Sequence, residues 1–170
     1  MIRALVPALF LAATPLAAQD EGLTGRAVSF GVLLYEDGKE DKPIFQGERH
    51  EAVVGDHVEY GLGDEPPQNG WGVIPAVIDI SASRVEISYP DWSYSDTFPD
   101  VGFNGYVLDF LVDCVLFDSA TIDKQASTGT LTDKDVFVRD ARLYVDVGGQ
   151  TYGPDETFVI ELEVMDCPLS

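Results

Sequence analysis

The chain has 170 residues, with 30 acidic side chains against 10 basic ones and a net charge of −20. A surface of that sign repels phosphate backbones and anionic lipid headgroups, which speaks against nucleic acid and membrane surfaces as partners. The length suits one domain with a real core.

The N-terminal stretch "MIRALVPALFLAATPLAAQDEG" has one basic residue, Arg3, then an apolar run from Ala4 to Ala13, then a small-residue end at Ala17-Ala18. That order predicts a secretory signal peptide over residues 1–18. The apolar run is about a dozen residues, short of the roughly 20 that a spanning helix requires. No later segment is long and apolar enough to span, so the mature chain is expected to be one exported domain over 19–170. Without Arg3 its balance is nine basic residues against thirty acidic ones. The two cysteines, Cys114 and Cys167, are an even count in an exported chain and predict a disulfide. Closing a loop of that length stabilises by about 4 kcal/mol in the chain-entropy view.

The dominant period along the chain is two. "RAVSFGVLLYEDG" predicts a strand that ends at Asp37-Gly38. "HEAVVGDHVEYG" predicts a turn at Gly55-Asp56, with Val58 and Tyr60 on one face. "YGLGDEPPQNGWG" reads as a surface loop with Trp71 folded back onto the sheet. "VIPAVIDI" and "SRVEISY" form a hairpin across Ser81-Ala82-Ser83, with Val85, Ile87 and Tyr89 facing one way. "FNGYVLDFLVDCVLF" is strand-like, with Asn104-Gly105 permitting a turn or bulge. In "ARLYVDVGGQTYG", Ala141, Leu143, Val145 and Val147 alternate with Arg142, Tyr144 and Asp146. Gly148-Gly149 then supplies the positive φ angles of a tight hairpin. "TFVIELEV" sets Phe158, Ile160, Leu162 and Val164 against Glu161 and Glu163. Strands of this length between turn signals predict an all-β fold: an antiparallel two-sheet β-sandwich, jelly-roll-like, of about eight to ten strands.

Chemistry-bearing residues are sparse. His50 and His57 lack metal-ligand spacing and read as solvated strand or turn residues. The serines lie in no GxSxG and have no partner histidine, so no catalytic residue is assigned. "YEDGKEDKP" and "LTDKDVFVRD" lack the spacing of a calcium loop and read as hairpin tips. The segment "YPDWSYSDTFPD" is bounded by prolines and has no period of its own. Within it Asp91, Trp92, Tyr94 and Asp96 form the candidate ligand site, because aromatic planes stack on sugar faces while carboxylates accept hydroxyl hydrogen bonds.

The order of short motifs resembles secreted bacterial proteins of the PEP-CTERM and VPLPA-CTERM sorting type. The matching elements are "VVGDHVEYG", "VIDISASRVEISY", "FNGYVLDF" and "RLYVDVGGQTYGPDETFVIELEV", from about Glu48 to Val164. The resemblance implies an exported β-sandwich associated with the envelope or extracellular matrix, and it carries over no catalytic residues. The chain departs from that group at its end, "VMDCPLS", which has no sorting tail, and in Cys114 and Cys167. A soluble periplasmic or secreted protein is therefore expected. Its expected role is a non-enzymatic envelope or extracellular module whose partner is a polysaccharide or an envelope component. The alternatives are a small secreted glycosidase-like hydrolase acting through two carboxylates, and a calcium-stabilised structural domain. No cofactor is expected, calcium being the one candidate.

Overall fold

The structure, a computed structural model, describes residues 22–61, 73–90, 92–111 and 116–165. The predicted signal peptide, Trp71, Asp91, Cys114 and Cys167 lie outside the described residues. Twelve strands run through the rest: β1 (Ala27–Tyr35), β2 (Phe45–Gln46), β3 (His50–Val53), β4 (Val77–Ile80), β5 (Arg84–Ser88), β6 (Asp96–Thr97), β7 (Phe103–Phe110), β8 (Phe117–Ile122), β9 (Val136–Arg139), β10 (Arg142–Asp146), β11 (Thr151–Tyr152) and β12 (Thr157–Val164). The described residues contain no helix, and none therefore that is long and apolar enough to cross a membrane.

Two antiparallel sheets face each other. The larger runs β2-β1-β7-β10-β9, with β3 also on β1, and the smaller runs β4-β5-β12-β8. The expected alternation puts one layer of apolar side chains between them. Phe30, Leu108, Leu143 and Val145 from the larger sheet join Ile80, Val85, Ile87, Phe158 and Ile160 from the smaller one, all with no exposed surface. The hydroxyls of Tyr89 and Tyr106 meet at 2.9 Å across this dry layer, which satisfies both polar atoms where water is excluded. Burial pushes both phenols up. The all-β sandwich read from the period is thus the fold. The strand count exceeds the expected range because β2, β6 and β11 are two-residue pieces, too short to carry any period.

Several local expectations are corrected. Asn104-Gly105 is neither turn nor bulge: both lie inside β7, in unbroken register with β1. Glycine is needed there because a Cβ on Gly105 would sit 1.9 Å from the Val145 carbonyl oxygen on β10. Gly148-Gly149 makes a turn, with only Gly149 at positive φ, but no hairpin. The chain leaves the larger sheet there, and β11 pairs instead with β6 as a separate two-stranded sheet. Val58 is 46% exposed while Tyr60 is buried, because Val58 follows a bend at 55–57 and lies in no strand. Ala141 belongs to no strand. It shares the β9–β10 turn with Asp140 at φ 58° and 52°, the paired positive angles of a two-residue hairpin loop. The "LTDKD" segment is a turn, held by Thr132 donating from both N and Oγ1 to Asp135 Oδ2 at 2.8 and 2.9 Å, but not the expected hairpin tip, because it links β8 and β9 of different sheets. The "VFVR" that follows is β9.

Candidate functional site

The candidate segment lies at one end of the sandwich, where β6 and β11 form the third sheet. Beneath it Tyr89, Phe98 and Tyr152 pack ring to ring, with Phe98 and Tyr152 centroids 4.7 Å apart. Trp92 is half-buried and packs onto the core, edge-on to Tyr152 at 5.3 Å. Tyr94 stands edge-on to Trp92 at 5.4 Å and 83°, yet 56% of its surface is in water. The exposed Asp96 opens β6 and accepts from the Thr97 amide at 2.8 Å. Burial, together with the charge of Asp96, raises the Tyr152 phenol. Trp92 Nε1 is buried and finds no hydrogen-bond partner among the described residues. Trp92, Tyr94 and Asp96 are therefore brought together. Tyr152, from a distant stretch of sequence, joins them through β6–β11 pairing, and sequence reasoning missed it. Its only signal was an aromatic just after a Gly-Gly turn.

The histidines do not meet in a site. His57 is exposed. His50, on β3, is half-buried rather than solvated, and its Nε2 has no partner among the described residues. Among those residues no group of three His, Cys, Asp or Glu side chains gathers in a way that could hold a metal ion. The buried Glu59 and the half-buried Asp146 serve the backbone. Glu59 accepts from the amides of Gly55 at 2.9 Å and Ile80 at 2.7 Å. Asp146 accepts from those of Asn104 at 3.1 Å and Gly148 at 3.0 Å. Burial still raises the Asp146 carboxyl against these two bonds.

The outer face of the larger sheet holds a second arrangement that the alternation hid. Tyr35, Phe103, Val107 and Tyr144 point away from the inter-sheet core and are nonetheless buried, with Phe137 and Leu33 against them. Phe137 and Tyr144 stack at 5.0 Å and 4° across β9–β10. The Arg139 guanidinium lies over both rings, 4.6 Å from the Tyr144 centroid. Beside this patch a notch of about 90 Å³ is lined by Gly31, Gln46, Val107, Tyr144 and two arginines, Arg49 and Arg142. The signal available in the sequence was aromatic side chains at the polar phase of strands, with three of the scarce arginines nearby. A larger apolar groove of about 360 Å³ opens where Val32, Leu34 and Tyr106 meet Phe45, Ile74 and Phe98.

Compared with protein-family models, with curated proteins and with solved structures, the chain finds no match in any of the three.

Proposed function

We propose that this protein is an exported, non-enzymatic β-sandwich module that binds a polysaccharide of the envelope or extracellular matrix through Trp92, Tyr94 and Asp96. One observation carries the reading: the Tyr94 ring is mostly in water while Trp92, itself packed edge-on to Tyr152, stands against it. A sugar ring stacks on such an apolar face, and an exposed carboxylate beside it accepts hydroxyl hydrogen bonds. Binding is favoured over two-carboxylate hydrolysis because the buried Glu59 and the half-buried Asp146, whose carboxyl burial raises, accept from backbone amides. It is favoured over a calcium role in "LTDKD" because Asp133 and Asp135 accept from the amides of Ile122 and Thr132. Export is supported by the N-terminal sequence.

Equilibrium binding to a panel of neutral and acidic polysaccharides tests the reading. Tyr94→Ala is the decisive variant, since its exposed ring can be removed with little cost to the fold. The expected result is a loss of affinity of about tenfold, or about 1.4 kcal/mol, with an unchanged melting temperature. Unaltered binding by a folded Tyr94→Ala moves the site elsewhere, and cleavage of a bound polysaccharide replaces binding with hydrolysis.

A further inference from the structure

The notch on the outer face has an unusual charge for this chain. Its lining includes two of the ten basic residues and, among the described lining residues, none of the thirty acids. Arg49 reaches across the sheet edge over Gly31. A Cβ on Gly31 would lie 3.2 Å from Arg49 Cγ and 3.3 Å from Nη1, so the missing side chain is what lets the arginine lie close. Its Nε donates to Ser29 Oγ at 3.0 Å, and Nη2 donates to the carbonyls of Ser29 at 2.8 Å and Val107 at 3.3 Å. Every one of these acceptors is neutral. Desolvation lowers the Arg49 guanidinium, and the Arg142 charge lowers it further against the pull of Asp109. Asp109 is already committed to Arg142 Nε at 2.7 Å. Tyr144 lines the same space as Arg142. Of the two guanidinium groups that line the notch, only Arg142 engages the Asp109 carboxylate.

We propose that this notch is an anion subsite that takes a single carboxylate or sulfate group carried by an otherwise neutral saccharide. Arginine suits the task, since its fixed fork of donors matches the oxygen spacing of such groups. Gln46 and the Tyr144 hydroxyl supply further polar contacts at the rim. The restriction to one charge follows from the rest of the surface. At a net charge of −20 a polyanion is repelled along its length, whereas one anionic group feels mainly the two nearby cations within about 10 Å at ordinary salt. The anion site stands on its own geometry; only the saccharide as its carrier rests on the reading proposed above.

The test is titration of the full chain, followed by amide chemical shifts, with sodium glucuronate, sodium sulfate and glucose. Glucuronate or sulfate should shift Gly31, Leu33 and Tyr144, and glucose should leave them in place; whichever anion binds more tightly names the group. Arg142→Gln and Arg49→Gln should each weaken anion binding about tenfold, the order expected when a charge-assisted contact is lost, while Arg142→Lys, which keeps the charge but not the fork, should lose less than Arg142→Gln. Melting temperatures identify any variant that has not folded, and Arg142→Lys keeps the test open if both glutamine variants fail. Equal shifts with glucose, or anion affinity unchanged in folded Arg142→Gln, overturn the subsite. A polyuronate that binds more tightly than glucuronate at low salt overturns the single-charge restriction. Tyr94→Ala separates the two sites: losing neutral polysaccharide while keeping the glucuronate shifts upholds both, and losing neither leaves the anion site standing without its saccharide carrier.

Discussion

The two faces of the larger sheet bury aromatic side chains equally well by different means. On the inner face Phe30 lies fully buried against Tyr60 and Tyr106, with ring centroids 4.9 and 5.6 Å away, under a second sheet. On the outer face Tyr144 keeps 6% of its surface and Phe103 1%, although no sheet among the described residues covers them. Their cover is made by neighbouring rings and by arginine side chains lying over the sheet. Long cationic side chains shield apolar surface with their stems while their heads stay in water. Burial by a sheet is dry and rigid. Burial by arginine leaves charge and hydrogen-bond donors at the surface, and so leaves room for binding.

Three substitutions bring out that difference. Phe30→Ala should cost the most, about 3–5 kcal/mol by cavity formation in a layer that cannot collapse, measured by urea denaturation. A loss below about 1 kcal/mol would mean that the inner layer is no better packed than the outer one. Arg139→Gln removes the cation from over Tyr144 and Phe137, and should cost only about 0.5–1 kcal/mol, as for exposed cation–aromatic contacts. Matching thermal melts, with near-ultraviolet dichroism following the tyrosines, would check it. A cost as large as that of Phe30→Ala would make the arginine cover a structural lid. The smallest effect is expected at Asp146 on the same outer face. Burial raises its carboxyl, with repulsion from Asp135 and Asp100 adding to the shift. The folded chain therefore holds that proton more tightly than the unfolded one. The stability this gives is present at acid pH and lost as pH rises through the raised folded value. Asp146→Asn mimics the protonated carboxyl and keeps both amide bonds. Its melting temperature should match that of the parent at acid pH and exceed it increasingly toward neutrality; a constant offset would point to a packing change instead.

The candidate corner was partly legible for a local reason. Trp92, Tyr94 and Asp96 sit within five residues of one another, so their proximity needs no knowledge of strand pairing. Tyr152 could join them only through the β6–β11 pairing, which spans two-residue strands with no period to read. The β9–β10 hairpin was missed because its turn is Asp140-Ala141. Alanine at φ 58° carries a steric cost that a glycine would avoid, so no turn signal marked it. The arginine notch was illegible for the same reason as Tyr152. Gly31 and Arg142 lie on β1 and β10 and Arg49 in the link between β2 and β3, and only register brings them together.

Sequence by itself determined the sandwich. Side chains that alternate along an extended backbone sort onto two faces whatever the strand order, so Val85, Ile87, Leu143, Val145, Phe158 and Ile160 had to form an inner layer. Tertiary structure alone decided what lies on the other faces. Strand neighbours are chosen by pairing energy summed over the whole sheet, and that choice set Tyr144 against Phe137 and placed Arg49 beside Arg142 over Gly31.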